Sequence, residues 1–228
     1  MINLDKECPF FNCCTHKDCN NSCIKKYKTN YYFDCALIPK NKRYIFPLRI
    51  DSDGRDEKAF LALSKISKNI DKFVDEGNNL YIYSSIAGNG KSSWAFRLLY
   101  SYINKVWFKK ELKPIVLFIS VPRFLLELKS NISQKSQYIE DIENSVLDAD
   151  LVVWDDIGSK NGTEFEVSHL LSIIDTRINN DKSNIYTSNL NKEELHNILG
   201  DRLYSRIYNY SKCIEFVGKD KRGIKYDN

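Results

Sequence analysis

Residues 85–92 read Ser-Ile-Ala-Gly-Asn-Gly-Lys-Ser, and this stretch decides the fold. It matches the phosphate-loop pattern G-x-x-x-x-G-K-S/T except at the first position, where Ser85 replaces glycine. The run Leu-Tyr-Ile-Tyr-Ser at 80–84 precedes it and predicts a buried strand, whereas the apolar residues after Lys91 recur at helical spacing. A strand that turns into a helix through glycines is typical of a phosphate-binding loop.

The loop also indicates which groups would contact a nucleotide. Backbone N–H groups at its glycines and the positive end of the following helix would point at one phosphate. Lys91 is predicted to reach the β- and γ-phosphates of ATP, and the Ser92 hydroxyl to ligate Mg²⁺. The predicted nucleotide-contacting residues are Ala87, Gly88, Asn89, Gly90, Lys91, Ser92 and Ser93. A chance glycine-rich turn is the alternative interpretation.

Length and composition limit the class of protein. The chain has 228 residues, of which 43% are hydrophobic, enough for one domain with a substantial core and a small appendage. Its net charge of +4 permits contact with nucleic acid without arguing for it. The N-terminus lacks an apolar stretch after a basic start, and no run approaches the length of a membrane span. We therefore expect a cytoplasmic protein with no membrane partner.

Cysteine is concentrated at the N-terminus, where six of the seven cysteines fall within the first 35 residues. In a reducing compartment such clustering favours a metal site over disulfides. A structural Zn²⁺ needs four ligands, which we expect to be drawn from Cys8, Cys13, Cys14, Cys19 and Cys23, with His16 and Cys35 as further candidates. An iron–sulfur cluster, disulfides or unliganded thiols are the alternatives. Cys213, far from this cluster, is predicted to be a core residue.

The rest of the chain alternates between strand-like and helical patterns. Apolar runs predict strands at 80–84, 115–119, 151–154, 184–188 and 213–217. Segments with helical spacing of apolar residues lie between these strands, and one further helix is predicted before the first strand, over 58–76. This alternation predicts an α/β fold with a parallel five-stranded sheet flanked by helices. We divide the chain into a cysteine-rich module and linker at 1–45 and a nucleotide-binding domain at 46–228.

Two acids follow the predicted strand at 151–154. An apolar strand that ends in Asp155 and Asp156 matches a Walker B element, and ligands of open α/β sheets lie at such strand ends. We expect Asp155 to hold Mg²⁺ and Asp156 to orient the attacking water. Two solvated acids at the end of a strand are the alternative.

Further polar residues are candidates for sensing or neutralising the γ-phosphate. Asn189 ends the predicted strand at 184–188, although it could equally be a turn residue. Arg202 and Arg206 lie four residues apart and so share one helix face, where either could act on a neighbouring subunit or form a solvated basic surface. Arg222, after the last strand, is a candidate to approach the nucleotide within the same chain.

Taken in order, these elements resemble the AAA+ ATPases, and specifically the DnaC/DnaI-type replicative helicase loaders of bacteria and their phages. The resemblance covers roughly residues 58–225. It rests on the segments 86–93, 151–158, 186–190, 199–207 and 216–222.

The resemblance implies roles for particular residues. Asn189 matches sensor 1, Arg222 matches sensor 2, and either Arg206 or Arg202 matches the arginine finger. Asp156 stands where a glutamate is common in AAA+ proteins. The cysteine-rich N-terminus looks like the zinc-bearing, helicase-binding segment of some members, and little or no C-terminal helical lid is expected.

The implied function is ATP-dependent loading of a hexameric replicative helicase onto DNA at the initiation of replication. The ATPase would be slow, stimulated by assembly or DNA, and would self-associate through AAA+ interfaces. Loaders of this group hold single-stranded DNA, for which the candidates here are Arg123, Phe124, Lys129 and Lys135. Packing of Phe124 in an ordinary amphipathic helix is the alternative.

Two other functions are compatible with these motifs. IstB-type transposase helper ATPases share most of them, although the cysteine module and short length favour a loader. The other is a binding module that a nucleotide switches without appreciable hydrolysis.

Overall fold

The computed structural model describes residues 23–38, 54–131, 137–159 and 162–221. Its helices are α1 (Ile24–Cys35), α2 (Glu57–Lys68), α3 (Ile70–Asp75), α4 (Lys91–Val106), α5 (Val121–Asn131), α6 (Gln137–Asp148), α7 (Glu164–Asn179) and α8 (Lys192–Tyr208). Its strands are β1 (Asn79–Tyr83), β2 (Val116–Ser120), β3 (Leu151–Asp155), β4 (Ser183–Ser188) and β5 (Ser211–Glu215). The predicted domain boundary at residue 45 lies outside the described residues, as do Cys8, Cys13, Cys14, His16, Cys19, Lys135 and Arg222.

The strands form one five-stranded sheet in the order β2-β3-β4-β1-β5, with every adjacent pair parallel. The predicted fold class is thereby confirmed. Parallel pairing places the carboxyl ends of all strands at one edge of the sheet. At that edge β1 lies next to β4, and β4 lies next to β3.

Helices cover both faces of the sheet. Alternate residues of β3 show the division, because Leu151 and Val153 belong to a buried cluster with α1–α4, whereas Val152 and Trp154 belong to a second cluster with α5–α8. A strand that is buried on both faces carries few polar side chains. This is why β1, β2 and β3 read as largely apolar runs in the sequence, whereas β4 and the edge strand β5 include several polar residues.

Two elements differ from the sequence-based expectation by more than one residue. The single helix predicted over 58–76 is wrong, because α2 and α3 are separated at Asn69. The amide side chain of Asn69 donates to the carbonyl of Lys65 at 3.1 Å, which satisfies an end carbonyl of α2 and favours termination there. The last strand begins two residues earlier than predicted and ends at Glu215, although the Phe216 N–H still bonds to the Tyr83 carbonyl at 2.9 Å.

Helix α1 packs against the same core as the sheet. Tyr32 and Phe33 are fully buried, and the Tyr32 hydroxyl donates to the carbonyl of Lys110 at 3.0 Å. The Phe118 N–H, on edge strand β2, donates to the Ala36 carbonyl at 3.1 Å. The predicted division assigns α1 to the cysteine-rich module and linker at 1–45, and for α1 this is wrong. Its aromatic residues complete the nucleotide-domain core.

Within the described ranges, no helix combines the length and the apolar composition needed to cross a membrane.

Candidate phosphate-binding site

The loop at 85–92 joins β1 to α4 in the predicted strand–loop–helix arrangement. Two of its glycines have left-handed backbone conformations, with φ of 73° at Gly88 and 106° at Gly90. Other residues adopt such angles at a cost, so these positions favour glycine. Ser85, which replaces the first glycine of the pattern, does not have a positive φ. The substitution is therefore compatible with the loop.

Hydrogen bonds inside the loop hold Lys91 in place. Lys91 is only 5% exposed. Its ammonium donates to the carbonyl of Ile86 at 2.9 Å and to Oδ1 of Asn89 at 3.1 Å. The Asn89 amide in turn donates to Oγ of Ser84 at 2.7 Å. This chain of bonds connects Ser84, Asn89 and Lys91 and fixes the conformation of the loop. A loop that is held by its own hydrogen bonds loses less conformational freedom when a phosphate binds.

Strand β4 orients the first acid of the Walker B element. Thr187 is 1% exposed, and its hydroxyl donates to Oδ1 of Asp155 at 2.7 Å. The same hydroxyl oxygen accepts the backbone N–H of Asp156 at 3.0 Å. One threonine thus fixes both the carboxylate that ends β3 and the turn that follows it.

The second acid lies beside the predicted sensor. Asp156 has a φ of 61°, an uncommon value for a residue other than glycine that Asp and Asn tolerate best. The Asn189 amide donates to its Oδ1 at 3.0 Å. Asp156 and Asn189 therefore form a pair across the ends of neighbouring strands β3 and β4.

A cavity of about 510 Å³ opens beside these groups. Ser92, Ser93 and Asp155 line one part of it, and aromatic side chains including Phe118 and Phe124 line the part beneath β2 and α5. The middle of the loop, from Gly88 to Lys91, does not line it. Ser92 and Asp155 hence face a shared space, and their hydroxyl and carboxylate oxygens are hard donors of the kind Mg²⁺ prefers. These residues fit a magnesium site.

The two candidate finger arginines lie on the second half of α8, beyond a kink at Gly200. The guanidinium of Arg206 forms an ion pair with Asp175 of α7 at 2.6 Å and donates to the Tyr210 hydroxyl at 3.1 Å. Arg202 is exposed. The structure brings the loop, Asp155–Asp156 and Asn189 together at one edge of the sheet, and it places both arginines on a separate surface.

The candidate DNA-contacting residues of α5 divide into buried and exposed side chains. Phe124 is 4% exposed and contacts the ring of Trp154 with centroids 6.4 Å apart, so its interpretation as a base-stacking residue is wrong. Arg123 has a side chain that is 74% exposed and pairs with Glu127 on the next turn. Lys129 is exposed as well.

The described cysteines of the N-terminal segment have structural partners. The sulfur of Cys23 caps α1 by accepting the backbone N–H of Lys26 at 3.5 Å. Burial raises the pKa of the Cys35 thiol despite a hydrogen bond with Tyr31 that lowers it. In the part of the chain that the structure describes, no three His, Cys, Asp or Glu side chains form a group able to hold a metal ion. Zinc binding stays a prediction.

Sequence reasoning missed Ser84 and Thr187 as residues that order the site. Ser84 is buried and directly follows β1, and Thr187 is the penultimate residue of β4, whose six residues are all buried. Buried polar groups need hydrogen-bond partners. Their position in or directly after buried strands was the signal that could have found them.

Comparison with known proteins agrees with this geometry. The sequence profile of the family described as IstB-like ATP binding protein matches residues 54–212. The chain belongs to this family. The motif-based resemblance is thereby confirmed.

Curated relatives of this IstB-like protein include the replicative helicase loader DnaC of Escherichia coli strain K12. It is 26% identical over 160 residues, which is 70% of this chain and 60% of DnaC. The chain therefore spans about 60% of the length of the curated relatives it matches.

Solved structures share the fold at lower sequence identity. The crystal structure of the DnaC helicase loader has a TM-score of 0.61 and 21% identity, and the match covers 82% of this chain and 98% of that one. The crystal structure of DnaI has a TM-score of 0.60 and 19% identity, with 82% and 95% covered. AMPPCP-bound DnaA from Aquifex aeolicus has a TM-score of 0.53 and 21% identity, with 71% and 46% covered.

Proposed function

We propose that this protein is an ATPase that helps to load a hexameric replicative helicase onto DNA. The observation that carries the proposal is the convergence of the phosphate loop, the two acids after β3 and Asn189 in a chain related to DnaC over 160 residues. A phosphate loop alone would support nucleotide binding. Two acids and an amide at the adjoining strand ends supply the groups that hydrolysis needs in addition.

The loop residues would bind the triphosphate of ATP. The backbone N–H groups at 87–93 and the N-terminal end of α4 provide partial positive charge, and Lys91 provides a full charge. Its ammonium already lies within the loop, bonded to Ile86 and Asn89, and would exchange these neutral acceptors for phosphate oxygens. A charge-assisted hydrogen bond is stronger than the neutral bond it replaces.

The strand-end residues would act on the γ-phosphate. When bound by Ser92 and Asp155, Mg²⁺ would neutralise part of the charge of the phosphates. Asp156 would accept a hydrogen bond from the attacking water and orient it in line with the γ-phosphate. Asn189 would hold the Asp156 carboxylate through the bond of 3.0 Å and exchange that bond for the γ-phosphate during the cycle.

The arginines of α8 would complete a site on a neighbouring subunit. Since Arg206 lies on a surface apart from the loop, it is suited to act in trans rather than on its own nucleotide. Head-to-tail assembly would then be required for rapid hydrolysis. Arg222, which lies outside the described residues, keeps its proposed role as sensor 2.

Single-stranded DNA and the helicase are the proposed partners of separate parts of the chain. Exposed Arg123 and Lys129 of α5 present positive charge that can follow a phosphate backbone. The cysteine-rich segment, folded around Zn²⁺, would dock on the helicase. Its boundary is better placed at residue 22 than at 45, because α1 belongs to the core.

The test is capture of the cognate hexameric helicase by the full-length protein and by a protein lacking residues 1–22. We expect capture by the full-length protein alone, with ATP affinity the same in both. ATP hydrolysis measured with and without single-stranded DNA tests the enzymatic part. If the wild type hydrolyses ATP no faster than an Asp156→Asn variant, the protein is not an ATPase, and the remaining interpretation is a binding module that a nucleotide switches.

A second candidate is a transposase helper, which the description of the matching family favours. The two functions differ in the partner protein, so the same capture experiment separates them. Capture of a transposase encoded beside this gene, with no capture of a helicase, would overturn the loader proposal.

A further inference from the structure

Asp56 is a buried carboxylate whose partners lie far away in the sequence. It is 3% exposed and occupies the N-cap position of α2, yet its side chain does not cap that helix. Instead, its Oδ1 accepts the backbone N–H groups of Val217 and Gly218 at 2.8 and 2.9 Å. Burying a carboxylate is costly unless its hydrogen bonds are made. These two bonds, 161 and 162 residues apart in sequence, therefore fix the chain that follows β5.

This chain, the tail segment (residues 216–221), also reaches the phosphate loop. The Lys221 N–H donates to the carbonyl of Gly88 at 3.0 Å, and the Lys221 ammonium lies 3.8 Å from Oδ2 of Asp56. At its other end, the Phe216 N–H continues the pairing of β5 with β1. The tail segment thus joins the first turn of α2 to the loop between β1 and α4.

The sheet order shows which part of a bound ATP would meet the tail segment. The acids and the amide proposed to act on the γ-phosphate follow β3 and β4, on one side of β1, whereas β5 lies on the other side. An extended ATP molecule whose γ-phosphate points towards β3 and β4 would direct its ribose and base the opposite way, towards β5. That is where the tail segment and Asp56 lie.

We propose that Asp56 is a positioning residue for the nucleoside half of ATP. It acts through the tail segment, which it holds against the phosphate loop to form one wall of the nucleoside site. The inference rests on the proposed ATP-binding function. The loop keeps its own internal bonds from Lys91 to Asn89 and from Asn89 to Ser84, so loss of Asp56 should leave the triphosphate contacts in place.

The test compares ATP with inorganic tripolyphosphate, which has the phosphates without the nucleoside. Binding of both is measured calorimetrically in the wild type, in Asp56→Ala and in Glu57→Ala, an exposed neighbouring acid that serves as the matched control. In Asp56→Ala we expect the Kd for ATP to rise roughly tenfold, about the effect of one lost hydrogen bond to a charged group, and the Kd for tripolyphosphate to change less than twofold. Glu57→Ala should match the wild type.

Two outcomes would overturn the inference: unchanged ATP affinity in Asp56→Ala, or an equal loss for both ligands, which would indicate general damage. Amide hydrogen exchange of the wild type decides the matter if the variant does not fold. ATP should slow amide exchange at Val217, Gly218 and Lys221, whereas tripolyphosphate should not. Equal exchange rates with the two ligands would also overturn the inference. A wild type that binds neither ligand would instead refute the proposed function.

Discussion

Asn189 donates its side-chain amide to Oδ1 of Asp156 across 3.0 Å, which joins the end of β4 to the turn after β3. The bond matters because the two residues have different proposed tasks, one sensing the γ-phosphate and one orienting water. In the proposed mechanism, an amide that leaves the carboxylate for a phosphate oxygen would change the hydrogen bonding of Asp156 at the same time. Sensing and catalysis would then be coupled through a single bond.

The first prediction concerns Asp156. Asp156→Asn should bind ATP with wild-type affinity and lower the hydrolysis rate roughly 100-fold or more, because an amide is a poor acceptor for the proton of the attacking water. Asparagine is the suitable substitution, since the φ of 61° at this position is tolerated by Asn. The measurement is phosphate release under saturating ATP.

Asn189→Ala is the companion variant. It should retain the Asp156 carboxylate and therefore lose less activity than Asp156→Asn. Equal rates in Asp156→Asn and the wild type would remove Asp156 from the chemistry.

The second prediction concerns Lys91. Lys91→Ala should weaken ATP binding roughly 10- to 100-fold, as expected for about 1.5–3 kcal/mol from a hydrogen bond to a charged group. The matched control is Lys105→Ala at the far end of the same helix, where the lysine pairs with Asp71 at 2.8 Å. Titration with a fluorescent ATP analogue measures both. Unchanged affinity in Lys91→Ala would refute the assignment of the loop.

The third prediction concerns the arginines of α8. Arg206 and Asp175 are each 34% exposed, and such partly solvated pairs contribute about 1 kcal/mol or less, so Arg206 can leave Asp175 for a neighbouring subunit at little cost. Arg206→Ala should bind ATP normally and hydrolyse it roughly 100-fold more slowly. Exposed Arg202 provides the comparison, and Arg202→Ala should hydrolyse at the wild-type rate.

Mixing tests whether the arginine acts in trans. Arg206→Ala supplies an intact phosphate loop and Lys91→Ala supplies an intact arginine, so the mixture should recover part of the activity at shared interfaces. If Arg206→Ala alone is fully active, Arg206 is not the arginine finger and forms only a surface ion pair. The reverse pattern, with Arg202→Ala inactive, would identify Arg202 as the finger.

The sequence predicts the sheet well because β1, β2 and β3 are largely buried and read as short, mainly apolar runs, and because β4 and β5 follow helical segments at the spacing of an α/β fold. The order of the motifs also predicts the site, since parallel strands bring the residues after β1, β3 and β4 to one edge. The contacts of Asp56 and Thr187 could not be predicted in this way. Their partners lie 161 and 32 residues away, and no local periodicity reports such a pairing.

Arg177 shows the same limit in the core. It lies in the last turn of α7 and is fully buried, and its guanidinium donates to the carbonyls of Val146, Ala149 and Ser183. Burial lowers its pKa to about 10. The partners belong to segments that meet only in the folded chain, so the sequence pattern does not reveal this role.

The fourth prediction concerns zinc. Elemental analysis should find about one Zn²⁺ per chain, because thiolates spaced as they are before residue 24 can fold a segment too short for its own core. A strong chelator should increase hydrogen exchange in residues 1–22 and leave α1 protected, since Tyr32 and Phe33 pack in the nucleotide-domain core. Protein without zinc or iron would refute the site, and ATP affinity, measured in parallel, should not change.

The last prediction concerns Asp150, at the end of β3 opposite to the site. Its carboxylate contacts the ammonium groups of Lys110 at 2.9 Å and Lys182 at 3.3 Å. Burial alone would raise the pKa of Asp150, but the two lysines outweigh it and lower the pKa below the ordinary 3.8. A carboxyl with a depressed pKa in the folded state stabilises the protein above its unfolded pKa and loses that effect as the pH falls through the folded value.

Asp150→Asn should therefore be less stable than the wild type by about 1–3 kcal/mol at pH 7, and the difference should shrink below about pH 4. Urea unfolding at a series of pH values measures it, with exposed Asp148→Asn as the control. A difference that stays constant down to pH 3 would contradict the assigned cause, and ATP affinity should be the same in all three proteins because this cluster lies at the far end of the sheet.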